Sequence, residues 1–264
     1  MKKALFFVIT LLLSMPLLAQ HPLVGTWEMV SVTGTNAEGK KFSLDTTQIR
    51  EVKIITPTHY MLIAQDVRGD SLVFNRCYGG TVTFDGNKYV ETPIQASIQI
   101  FDNVKTDFTW RVDGDVFTQS GSITRPDGKK IILDALKFRR VKSTHKYPNN
   151  PAVGTWSQVS STFTQFDGTK GSHTNATATR LQIITPTHWM RVSHMDSKFE
   201  GAMGGSYTME QGKTLPNAEY ASTKNSGKVE LTENVEGDKM VVKGKLTSSD
   251  GKTMTWDDVF ERLR

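Results

Sequence analysis

Val24-Gly25-Thr26-Trp27 returns as Val153-Gly154-Thr155-Trp156, and Ile54-Ile55-Thr56-Pro57-Thr58-His59 returns as Ile183-Ile184-Thr185-Pro186-Thr187-His188. Both repeats keep one offset, 129, the difference between 153 and 24 and between 183 and 54. A constant offset across two separated motifs marks a duplicated unit. A period far above the ~20–50 residues of solenoid repeats makes each copy large enough to be a domain.

Working outward, the N-terminal end reads as a targeting segment. Lys2 and Lys3 precede an apolar run from Ala4 to Leu13, followed by Ser14-Met15-Pro16 and the small residue Ala19. This is the pattern of a secretory signal peptide, and its apolar core is shorter than the roughly 20 residues a spanning helix needs. Residues 1–19 are expected to leave by cleavage after Ala19, with the mature chain exported to the periplasm or beyond. No cysteine adjoins the cut to carry a lipid, and no later stretch is apolar enough for stable membrane insertion. Cys77 is the single cysteine, so no intramolecular disulfide is available and stability must come from apolar cores. Two units of about 120 residues each suffice, because domains of that size bury well over half of their chain's surface. The formal charge of +5 includes Lys2 and Lys3; without them +3 remains, spread along the chain. With no basic stripe interleaved with stacking aromatics, nucleic acid is not indicated as a partner.

Between the copies runs Ser143-Thr144-His145-Lys146-Tyr147-Pro148-Asn149-Asn150-Pro151, polar and bracketed by prolines that disfavour helix and cannot donate to a sheet ladder. The expected units are therefore 20–142, a linker at 143–151, and 152–264. Inside each unit apolar and polar residues alternate between tight turns at Asp85-Gly86-Asn87, Asp113-Gly114-Asp115, Asp127-Gly128-Lys129, Glu236-Gly237-Asp238 and Asp250-Gly251-Lys252. Glycine there supplies the positive φ of hairpin turns. Strands are expected near 24–33, 49–56, 59–66, 71–83, 88–95, 106–112, 116–124 and 130–141, and no useful stretch shows a 3.6-residue period. The fold class is all-β: two tandem antiparallel up-and-down β-barrels of about eight strands each, since closure removes the exposed edges of an open meander.

Gly25-x-Trp27 at the opening of the first strand, with an Arg at the end of the last, resembles the lipocalin or calycin signature. Small secreted bacterial lipocalin-like domains of unknown function are the nearest likeness. Thr106-Asp107-Phe108 is similar to a second, later element of that family, without an equivalent in the other copy. The resemblance implies that Trp27 packs across one end of its barrel under Arg140, and Trp156 under Arg262. A guanidinium over an indole face, donating to carbonyls where the strand ends meet, is the physical content of such a pair.

The candidate ligand-binding residues follow from the Thr-Pro-Thr-His hairpins. Turn chemistry accounts for Pro and Thr but does not require His. By the period of two, His59, Met61 and Ile63 share one face, as do His188, Met190, Val192 and His194. The opposite face carries Leu62 in one copy and Arg191 in the other. A position that accepts Arg is expected to face solvent, which turns the His and Met side into the barrel, with a His near the mouth of an apolar wall. No metal is expected, because His188 and His194 lie six residues apart on one strand and no metal-ligand motif occurs. A single His without a supporting motif leaves haem unsupported, so no cofactor is expected. No Gly-x-Ser-x-Gly is present, Cys77 reads as a packed thiol, and acidic residues concentrate in turns, so no catalytic residue is indicated. Gly79-Gly80 and Gly204-Gly205 read as strand kinks or bulges.

The expected function is reversible binding of a small, largely apolar molecule, such as a fatty acid, in one or both barrels. The alternative is a pair of filled barrels whose outer faces engage a protein or a glycan. A barrel of about eight strands permits either.

Overall fold

The computed structural model describes residues 21–98, 103–143, 145–223 and 227–264, so the expected signal peptide lies outside the described residues. The first barrel is built from β1 (Gly25–Thr35), β2 (Lys41–Asp45), β3 (Ile49–Ile55), β4 (His59–Arg68), β5 (Ser71–Asp85), β6 (Lys88–Ala96), β7 (Lys105–Asp113), β8 (Val116–Thr124) and β9 (Lys130–Arg140). The second comprises β10 (Gly154–Thr164), β11 (Lys170–Thr174), β12 (Ala178–Ile184), β13 (His188–Met195), β14 (Lys198–Glu210), β15 (Lys213–Pro216), β16 (Tyr220–Ala221), β17 (Gly227–Glu236), β18 (Lys239–Ser248) and β19 (Thr253–Leu263). Neighbouring strands pair antiparallel, and β1–β9 and β10–β19 close the two walls.

Each wall has eight positions. In the first barrel β3 pairs the near half of β1 and β2 its far half, so both share one edge; β10, β12 and β11 repeat the arrangement. In the second barrel β15 and β16 both pair with β14 and fill one position. The short strands β2 and β11 were not expected. They are five residues each, alternately exposed and half-buried, and bring little apolar surface to mark them in sequence.

The five turn glycines expected to take positive φ do so, between +57° and +81°. The paired glycines mark close backbone approaches: a Cβ on Gly80 would lie 2.0 Å from the Thr92 carbonyl oxygen, and one on Gly205 2.0 Å from that of Asn217. The β5–β6 register slips at Gly79–Gly80, which is the behaviour of a bulge.

One end of each barrel is sealed by a tryptophan. The Arg140 guanidinium lies 4.0 Å from the Trp27 ring centroid and donates to the Val24 and Pro22 carbonyls at 3.0 and 2.6 Å. Arg262 repeats this over Trp156 at 4.1 Å, donating to Val153 and Pro151 at 2.8 and 2.9 Å. Both indole N–H groups donate to the carbonyl four residues upstream, Leu23 and Ala152, at 2.7 Å.

A third apolar core belongs to neither barrel alone. Val52, Ile54, Met61, Ile63 and Cys77 from β3–β5 pack against Leu181, Ile183, Met190, Val192 and Ala202 from β12–β14, with Tyr220 of β16. The seam obeys a local two-fold. Thr26 meets Thr185 at 3.5 Å and, reciprocally, Thr155 meets Thr56 at 3.2 Å. Phe74 and Phe199, equivalent residues of the two copies, stack on each other at 5.5 Å and 9°. Two copies of one surface meeting reciprocally form an isologous interface, here within one chain. The repeated motifs thereby gain a shared role: each Thr of Val-Gly-Thr-Trp contacts the first Thr of the other copy's Thr-Pro-Thr-His.

Candidate functional site

The seam fixes the position of the candidate residues. His59, Met61 and Ile63, with His188, Met190 and Val192, were expected to look into the barrels; the structure turns this face outward, into the contact between them. Met61, Ile63 and Val192 are fully buried there and Met190 nearly so. His59 and His188 lie at the same face with Nδ1 2.8 Å from the hydroxyls of Thr58 and Thr187, and desolvation lowers both pKa values. His194 bridges the barrels, its Nε2 2.9 Å from the Ala96 carbonyl. The reason for the reversal is packing between domains: a strand with both faces buried carries no free side for alternation to identify. β4 is buried from His59 to Gln65. Cys77 belongs to the same seam, and burial raises its thiol pKa.

The opposite face lines the barrels, and it carries charge. In barrel 1 the Lys53 ammonium donates to Glu91 at 2.7 Å, to Gln119 at 3.1 Å and to Tyr89 at 3.2 Å, with side-chain exposures of 1% for Lys53 and 3% for Glu91. Tyr89 also bonds Gln119 at 2.7 Å. Deeper along β3, Glu51 pairs with Arg76 at 2.5 Å. Aromatic rings occupy the remaining space, with Tyr89 5.4 Å from Phe108 and Phe117 5.4 Å from Phe138. Each of these two inward cations has its own carboxylate, while the Tyr60 hydroxyl is buried in the same interior without a hydrogen-bond partner.

Barrel 2 differs at the matching positions. Glu51, Tyr60, Leu62, Phe108 and Leu133 are buried in barrel 1; their counterparts by strand register, Arg180, Trp189, Arg191, Leu231 and Trp256, all keep accessible surface. The Lys53–Glu91–Tyr89–Gln119 group is replaced by Gln182, Pro216, Thr214 and Val242, and no ion pair crosses at those positions. Arg191 lies between Met190 and Val192 in sequence and so points away from the seam, into the barrel. Its guanidinium donates to the Met203 sulfur at 3.4 Å, and burial, reinforced by the charge of Arg180, lowers its pKa to about 10. Arg180 lies 3.5 Å from the buried carboxylate of Asp258, which Gln158 also holds at 2.8 Å. Arg180 Nε is buried without a hydrogen-bond partner. Elsewhere in this wall β15 and β17 share a single described register pair, Thr214 with Leu231.

Outside the barrels, a depression of about 450 Å³ is lined by Glu28, Asp115, Arg139, Arg140, Val141 and Lys142. Its charges are engaged locally, Lys142 with Asp115 at 2.8 Å and Glu28 with Arg50 at 3.3 Å.

Sequence reasoning missed both Lys53 and the inward direction of Arg191. A signal was present: Lys53 and Arg191 each interrupt an apolar run, Val52-Lys53-Ile54-Ile55 and Met190-Arg191-Val192. Such a run marks a strand buried on both sides.

No protein-family model matches the chain, and no curated protein matches it. Among solved structures, similarity extends to a protein of unknown function of the DUF3598 family from Nostoc punctiforme, at 11% identity and a TM-score of 0.28, over 91% of this chain and 96% of that one. Kievitone hydratase from Nectria haematococca is similar at 11% identity and a TM-score of 0.23, over 91% and 89%. At these scores neither likeness bears on the chemistry of the site.

Proposed function

We propose that this chain is an exported, lipocalin-like protein that binds one small, largely apolar molecule in the lumen of its second barrel. The observation that supports this reading is the five matched inward positions that are buried in barrel 1 and half-buried in barrel 2. A packed lumen has no room for a guest, whereas an apolar, solvent-reachable one lined by a few polar groups is the usual form of a small-molecule site. Trp189, Met203, Leu231 and Trp256 would supply the apolar contact. The ligand residues in this reading are these rather than His59 and His188, whose face lies at the seam.

Native mass spectrometry of the exported protein, coupled to organic extraction of anything released, tests the reading. One equivalent of a bound apolar compound per chain is expected, with an N-terminus at Gln20 in the same spectrum. Protein that stays empty after incubation with a panel of lipids and haem would refute ligand binding, and Met1 retained on the exported chain would refute cleavage.

A further inference from the structure

A cation placed inside a protein without an anion is costly, and its usual remedy is visible in barrel 1, where Lys53 and Arg76 each face a carboxylate at 2.7 and 2.5 Å. Barrel 2 departs from that remedy. Arg191 takes the place of Leu62, and its hydrogen bond goes to a thioether, a weak acceptor. Arg180 takes the place of Glu51, reversing the sign, and shares its single carboxylate, Asp258, with Gln158. Glu233, on the inward side of β17, accepts from the Thr214 hydroxyl at 3.0 Å, and desolvation raises its pKa. The inward side of barrel 2 therefore brings two guanidinium groups to the one buried carboxylate of Asp258, which with Glu200 supplies the negative charge acting on Arg191. With its pKa lowered only to about 10, Arg191 stays cationic at neutral pH.

We propose that Arg191, with Arg180 beside it on the neighbouring strand, seats the carboxylate of an organic monoanion whose apolar tail lies against Met203, Trp189, Leu231 and Trp256. The inference rests on the reading of barrel 2 as an open lumen and names the chemistry of its ligand. A guanidinium presents paired N–H donors that match the two oxygens of a carboxylate, and in a desolvated site this pairing is among the stronger polar contacts available. Without ligand, Arg191 carries a cost; with a carboxylate bound, that cost is relieved, and binding stabilises the fold.

The test is titration calorimetry of the full chain with decanoate and with decanol, which share a tail and differ in charge, alongside thermal melting without ligand. Decanoate is expected to bind once per chain, about tenfold or more tighter than decanol, as one charge-assisted contact gives. Arg191→Leu, which installs the residue that barrel 1 carries, should bring decanoate to the level of decanol, leave decanol within about twofold, and melt above the parent protein. Arg191→Lys should keep part of the preference. Equal binding of decanoate and decanol by the parent protein would overturn the anion site while leaving the open lumen standing. Binding of neither would overturn both. An Arg191→Leu protein that melts lower with the preference intact would make Arg191 structural and overturn the assignment.

Discussion

Lys53→Met is the sharpest probe of why barrel 1 is closed. The ammonium lies 2.7 Å from Glu91, and both side chains are nearly sealed, at 1% and 3% exposure. Removing it leaves a buried carboxylate whose remaining described side-chain partner is the Tyr89 hydroxyl, and strips one donor from Gln119. Breaking one side of a buried pair costs about 3–5 kcal/mol, whereas replacing both sides by apolar groups of similar size is often neutral or stabilising. Lys53→Met should therefore lose about 3–5 kcal/mol, a large share of the roughly 5–15 kcal/mol that holds a domain folded. Lys53→Met with Glu91→Leu should return to within about 1 kcal/mol of the parent protein, because Tyr89 and Gln119 still satisfy each other at 2.7 Å. Urea unfolding of the whole chain, followed by tryptophan fluorescence, supplies the four corners of the cycle. A single variant within about 0.5 kcal/mol of the parent protein, or a double variant that loses the sum of both singles, would refute the account of a self-neutralised lumen.

Desolvation lowers the pKa of His59 and His188 below the ordinary value near 6.5, so the native state favours neutral imidazole. That contribution is present above about pH 6.5 and is lost as pH falls through the depressed native values, so melting temperatures should drop between about pH 7.5 and about pH 5.5. His59→Gln with His188→Gln should flatten the drop while ligand binding is unchanged; an identical slope in the double variant would contradict the assignment. Cys77, buried and raised in pKa, should resist thiol reagents in the native protein, and Met61→Ala or Met190→Ala should cost about 2–5 kcal/mol and hasten its labelling by loosening the seam. Rapid labelling of the native parent protein would argue against the seam. Trp27→Ala should cost about 3–5 kcal/mol and Arg140→Ala about 1–3 kcal/mol, with matching losses for Trp156 and Arg262 in barrel 2; calorimetric melting that leaves both transitions in place would count against the cap.

The strand succession was legible because hairpin turns write themselves locally: Asp-Gly and Glu-Gly pairs fix turn geometry, and β3 to β9 fall within three residues of their expected positions. The Trp and Arg of each cap were named through the resemblance to the lipocalin signature, and the structure places each guanidinium over its indole ring. The site was not legible. Met61 and Leu62 are equally buried, one in the seam and one in the lumen, and alternation separates two faces without naming them.

What the sequence by itself determined is the duplication, the all-β class and the turn positions, because each depends on residues close together in the chain or on a repeat offset. Tertiary structure alone decided which face of β3, β4, β12 and β13 is inside. That choice depends on the second barrel. Burying Met61, Ile63, Met190 and Val192 against one another gives the apolar outer face a partner, and Arg191 is thereby turned away from the seam into the lumen.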